Sequence, residues 1–133
     1  MSERIQRLLR DVYESVNEPE RRSPLGDRFS ALSGAPLASV QREIAEEIAH
    51  SLGKAGRKVQ RQTELVRALV ARAASEQLSQ EEQEQLRREY LRQRLLAERH
   101  LRDLLIQREA LGLRRHEELR RVYVLPEWPE VAR

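Results

Sequence analysis

The chain has 133 residues, of which 39% are hydrophobic, 35% charged and 4% aromatic, a balance suited to long exposed helices and poor for a thick globular core. The net charge is only +3, against a pI near 9.8, so charge alone does not make it a nucleic-acid binder. It has no cysteine, which excludes a disulfide framework and a thiolate metal site.

At this length one domain is expected. No apolar run approaches the ~20 residues needed to span a bilayer. Arg4 and Arg7 are not followed by a continuous apolar core, so the first residues do not read as a secretory signal. A cytoplasmic protein is the expectation.

Residues 1–17 predict an amphipathic helix. Ser2 can cap it, and Ile5, Leu8, Leu9, Val12, Tyr13 and Val16 fall on one face. Glu18-Pro19 ends it, because the residue before proline avoids the helical region. Residues 18–35 carry Pro19, Pro24, Gly26 and Gly34 and read as a linker or a docked arm. Leu25, Phe29 and Leu32 give this arm the means to dock on a helix surface.

A second helix is predicted over 36–74, with Pro36 in its first turn. Its stripe runs through Leu37, Val40, Ile44, Ile48, Leu52, Ala55, Val59, Val66, Leu69, Val70 and Ala73. Gly53 and Gly56 lower propensity by ~1 kcal/mol each but keep the phase, so the helix is expected to run unbroken. Ser75 to Ser79 is the turn. Ser79 and Glu82 then make a capping box, the hydroxyl and the carboxylate each accepting from the other residue's amide.

The third helix carries Leu86, Tyr90, Ala97, Leu101, Leu104, Leu105 and Leu111 on one face. Leu119, Val122 and Tyr123 return to that face if the helix passes through Gly112, so continuity to Tyr123 is expected. Leu91, Leu95, Ile106 and Leu113 lie on the opposite side. A helix apolar on two faces asks for two neighbours. Pro126 and Pro129 end it and leave residues 124–133 as an extended tail around Trp128.

The fold class that follows is all-α: a long antiparallel helical hairpin over 36–123 with a short N-terminal helix, completed as a bundle by self-association or by a partner. A lone hairpin leaves half its apolar surface in water, and the first helix covers only part of it. The expected function is therefore a non-enzymatic protein–protein interaction module: an adaptor, regulatory or assembly subunit, as a homo-oligomer or within a larger complex. Ile44, Ile48, Leu52, Val59 and Val66 on one helix, Leu91, Leu95 and Ile106 on the other, and Trp128 as a terminal anchor are the expected partner-binding residues.

The alternative rests on residues 48–63, which contain Lys54, Arg57, Lys58 and Arg61 and no acid. On one helix flank, extended by Arg72, these could follow a phosphate backbone, alone or within a nucleoprotein complex. The absence of interleaved aromatic residues speaks against base stacking, and pairing with Glu81, Glu84 or Glu89 is the competing reading. No catalytic residue, cofactor or metal is expected. Gly53-Lys54-Ala55-Gly56 lacks the spacing of a phosphate loop. Glu47 and His50 give one Glu-x-x-His step where a di-iron bundle needs two and further carboxylates. Gln62, at the centre of the second helix's stripe, either sets register or oligomer state as a buried amide, or lies where the hairpin is exposed. His100 reads as a partly buried histidine at the edge of the third helix's apolar face.

Overall fold

The computed structural model describes residues 2–17 and 39–129. Among them are four helices: α1 (Glu3–Val16), α2 (Ser39–Ser75), α3 (Gln80–Ala110) and α4 (Glu117–Val122). The arm read over 18–35, the start of the second helix before Ser39 and the last four tail residues lie outside the described residues.

α2 and α3 form the expected hairpin, and α1 packs against both. α2 runs unbroken through Gly53 and Gly56 for 37 residues, about 55 Å at 1.5 Å per residue. The turn at 76–79 closes with the predicted capping box: the Glu82 amide donates to Ser79 Oγ at 3.1 Å and the Ser79 amide to Glu82 Oε1 at 3.1 Å. Those bonds, the backbone one first, hold the Glu82 carboxyl below its usual pKa of 4.5.

The third helix does not continue to Tyr123. It stops at Ala110 because Gly112 takes φ +84°, a left-handed conformation. The Leu113 amide donates to the Arg108 carbonyl at 2.9 Å and the Gly112 amide to the Glu109 carbonyl at 3.0 Å. This pair of bonds is a Schellman stop, which satisfies two terminal carbonyls. Retained apolar phase suggested continuity, but local backbone chemistry decides the matter. The break folds α4 back, so that Leu119 and Tyr123 are buried against Leu52, Val59 and Leu104. It also brings Leu113 onto that cluster, where a straight helix would have turned it away.

The core has three clusters along the hairpin. Beside the turn, Ile5, Leu8, Leu9 and Val12 of α1 pack on Leu65, Leu69 and Leu86. In the middle Val66, Tyr90 and Ala97 meet Val70, Leu125 and Trp128. At the far end α4 closes over Leu52, Val59 and Leu104. The chain's own ends thus sheath one long groove of the hairpin.

Polar contacts register α1 on the turn. The Ser2 amide donates to Gln85 Oε1 at 2.9 Å, and Arg4 reaches Glu76 at 3.3 Å and Glu82 at 3.8 Å. Asp11 pairs with Arg72 at 3.7 Å. These partly exposed pairs orient the helix more than they stabilise it.

Candidate functional site

The core of α3 is made by Leu86, Tyr90, Gln93, Ala97 and Leu104. At about 100° per residue the opposite side carries Glu84, Arg88, Leu91, Leu95, Glu98, Arg102 and Ile106 within an arc of about 80°. Leu91, Leu95 and Ile106 there are 51%, 49% and 56% exposed. This is the face that the second apolar side of the helix predicted. No segment among the described residues buries it.

The other expected partner-binding residues divide. Ile44 is 53% exposed near the open end of the hairpin. Ile48 is half-buried against the α4 cluster. Leu52, Val59 and Val66 are 3%, 0% and 0% exposed, so their area is already covered inside the chain. Trp128 is seated on the chain's own hairpin, its ring centroid 5.1 Å from that of Tyr90 at an interplanar angle of 44°. Arg67 clamps the tail through the Val122 and Val124 carbonyls at 2.9 and 3.0 Å. Tyr90 Oη donates to the Pro126 carbonyl at 2.7 Å, and Arg94 donates to both oxygens. Two arginines on the hairpin therefore hold the extended backbone of the tail.

Lys54, Arg57, Lys58 and Arg61 are all exposed on α2. Arg72, the expected extension of their ridge, is drawn off to Asp11 and Glu76. Two of the acids expected to pair with the ridge are taken by arginines of α3 itself, Glu84 by Arg88 at 3.5 Å and Glu89 by Arg92 at 2.7 Å. Lys54 and Lys58 line a half-open cleft of about 280 Å³ between α2 and α3, with Ser51, His100, Asp103 and Gln107. His100 is thus a cleft wall at the rim of the core. Glu47 and His50 are exposed, and among the described residues no cluster of three or more acidic or histidine side chains could hold a metal ion.

No family model, curated protein or solved structure matches this chain.

A polar seam joins α1, α2 and α3. Tyr13 Oη donates to Glu89 Oε1. The same oxygen accepts from Gln93 Nε2 at 2.8 Å and from Arg92 at 2.7 Å. Gln93 Oε1 accepts from Gln62 Nε2 at 2.5 Å, and the Gln93 carbonyl accepts from the same amide at 3.1 Å. Gln62 is thus a paired, part-buried amide that fixes the register of α2 on α3. Burial alone would raise the Glu89 pKa, but the bonds from Arg92, Tyr13 and Gln93 prevail and hold it below the usual 4.5. The Tyr13 phenol is pushed up to about 12, by burial first and then by the bond to the Glu89 carboxylate and its charge.

The sign for Tyr13 follows from linkage. A raised acid pKa favours the neutral form in the folded state, so its contribution is complete below pH 10 and lost between about pH 10 and 12. Urea midpoints measured across that range should fall more steeply for the wild type than for Tyr13→Phe. Equal slopes would mean that the phenol does not sense the carboxylate.

The sequence reading missed this seam and the tail clamp. A signal for the first existed, since Glu89 and Gln93 are polar residues one turn apart on the face that carries Leu86 and Ala97. No periodicity marks an arginine that will bind carbonyls of a distant extended segment.

Proposed function

We propose that this chain is a non-enzymatic protein–protein interaction module, an adaptor, regulatory or assembly subunit that works through the outer face of α3. The observation that carries the reading is the exposure of Leu91, Leu95 and Ile106 directly opposite a well-packed core. Single exposed leucines are ordinary on a protein surface. Three on one helical strip, flanked by charges of both signs, form an apolar centre with a polar rim, the anatomy of a binding face. Among the described residues no helix is long and apolar enough to cross a membrane, so this strip has no part in a spanning segment.

Leu91→Asp/Leu95→Asp should leave helix content and the unfolding midpoint nearly unchanged, because both positions are about half exposed. Proteins retained on the wild-type chain in a quantitative affinity comparison should drop by about tenfold or more, equivalent to ~1.4 kcal/mol or more. Retention of every binder by the double variant would overturn the reading.

A second reading is nucleic-acid binding along Lys54, Arg57, Lys58 and Arg61. It is favoured by their exposure and by the absence of an ion pair on any of the four among the described residues. Four phosphate contacts would make log K fall with log salt at a slope of about −3 to −4. Changing the four to glutamine should then abolish oligonucleotide binding while leaving the α3 face active.

A further inference from the structure

Of the 25 lysine and arginine residues of the chain, only Lys54 and Lys58 are lysines. Both line the half-open cleft of about 280 Å³ between α2 and α3. Two ladders build its walls. Ser51, Lys54 and Lys58 recur on α2 at spacings of three and four, and so do His100, Asp103 and Gln107 on α3. Each set therefore lies on one helical face. The Gln62–Gln93 bond sets the register. Lys54 lies eight residues from Gln62, and His100 and Asp103 lie seven and ten from Gln93. In an antiparallel pair these three stand at one level. Ala55 adds only a methyl group to the α2 wall, which leaves the space.

Like charges four residues apart on a helix repel each other. Among the described residues neither ammonium group has an ion pair, and Asp103 on the facing wall has none. Elsewhere on the hairpin the cations are engaged: Arg67 and Arg94 by carbonyls of the tail, Arg72 and Arg92 by carboxylates. One turn further along the two helices stand Glu47, Arg61 and Arg99. The cleft and its rim thus keep an excess of positive charge, and a concave wall focuses such a field on a small anion.

From this arrangement we propose that the cleft binds a small phosphate monoester carrying a free hydroxyl group beside the phosphate. Lys54 and Lys58 hold the phosphate between them. A lysine ammonium is a compact charge with three donors that rotate freely, where the planar arginine fork is wider. Ser51, Gln107 and His100 offer further donors. Asp103, when ionised, only accepts. It repels a bare anion and favours a ligand whose hydroxyl donates to it. The volume lies at the lower end of small-molecule sites, enough for a phosphate and a few carbon atoms. The cleft is separate from the outer α3 face and does not depend on the interaction-module reading. It shares the two lysines with the nucleic-acid reading but not Arg57 or Arg61, which do not line it. A phosphate beside a hydroxyl has two sources: a free small molecule, or the 3′-phosphate end of an RNA strand next to its 2′-hydroxyl.

An NMR titration of the full chain tests the site through the Gln107 side-chain amide, the His100 ring and the Ala55 methyl. Glycerol 3-phosphate should shift all three with a Kd on the order of 1 mM, and glycerol should shift none. Methyl phosphate, which has no hydroxyl, should bind about fivefold more weakly, and Asp103→Asn should erase that difference. Lys54→Gln and Lys58→Gln should each weaken glycerol 3-phosphate by about fivefold, and the double variant should not bind it. Arg57→Gln should bind as the wild type does. The substituted positions are exposed, and circular dichroism should show equal helix content in all variants.

The diuridine nucleotides UpUp, which ends in a 3′-phosphate, and UpU, which does not, separate the sources. Both sources support the site: a preference for glycerol 3-phosphate over UpUp points to a free small molecule, and the reverse to a strand end. No shift with either would overturn the proposal, as would shifts that survive both lysine changes. Equal binding of inorganic phosphate, methyl phosphate and glycerol 3-phosphate would overturn it as an adventitious ion only. Equal binding of UpU and UpUp, weakened as much by Arg57→Gln as by Lys58→Gln, would overturn it in favour of a ridge that follows a phosphate backbone.

Discussion

Tyr90→Ala should destabilise the protein by about 3–5 kcal/mol, the range for emptying a large aromatic site in a core. Tyr90 is buried and serves three purposes at once. Its ring fills the middle cluster beside Val66 and Ala97, it supports Trp128 at 5.1 Å, and its hydroxyl donates to Pro126. Truncation removes the floor under the tail, so Trp128 fluorescence should shift toward that of a solvated indole well below the main unfolding transition. Tyr90→Phe keeps the ring and leaves Arg94 to serve the Pro126 carbonyl, so its effect should be near 1 kcal/mol. Urea denaturation followed by both circular dichroism and tryptophan emission distinguishes the two. Equal effects of Ala and Phe would show that the hydroxyl, and not the ring, carries the docking.

Ile5→Asp should detach α1. Ile5 is 0% exposed among Leu8, Leu9, Leu65, Leu69 and Leu86, and a carboxylate placed there has no partner. An isolated buried charge is expelled or neutralised at a penalty of several kcal/mol. Expulsion is available here because α1 is joined to the hairpin by one apolar cluster, the Tyr13–Glu89 bond and a few other polar contacts. A 14-residue helix is marginal in water without its packing face. Its amides should therefore exchange freely in Ile5→Asp, while those of α2 and α3 around Val59 and Leu104 stay protected. Hydrogen exchange read by mass spectrometry tests this. Uniform loss of protection would mean that α1 is integral to the fold and not a docked cover.

The two outcomes bear on function because α1 and the tail position the α3 face. The seam through Glu89 holds Arg92, and the tail holds Arg94, on either flank of the Leu91–Leu95 ladder. A detached cover would take the Tyr13 bond away from Glu89 and expose Leu65, Leu69 and Leu86 as a second apolar surface. Binding measured on such a variant would mix the contribution of this second surface with that of the proposed α3 face.

Much of this was legible in residue order because it depends on neighbours a few positions apart. The Ser2 cap, the Ser79–Glu82 capping box and the unbroken phase through Gly53 and Gly56 are all local. So was the Schellman stop at Gly112, a glycine followed by Leu113, although the retained phase of Leu119 and Tyr123 argued for a straight helix. That phase has another cause. α4 returns to the same cluster by folding back, and a wheel drawn through a break cannot distinguish the two routes.

What residue order alone determined is a hairpin of two long helices with more apolar faces than it has helices to cover them, since helical period and capping act within a turn or two. What only the tertiary structure decided is which of those faces stays open. A wheel assigns Leu52, Val59, Val66, Leu91, Leu95 and Ile106 to apolar stripes on equal terms. Competition among α1, α4 and the tail for the same groove settles their fates. The first three are buried because the chain's ends reach that side, guided by Arg67, Tyr90 and the Glu89 seam. The last three remain outside because every covering segment among the described residues has already packed on the opposite face of α3.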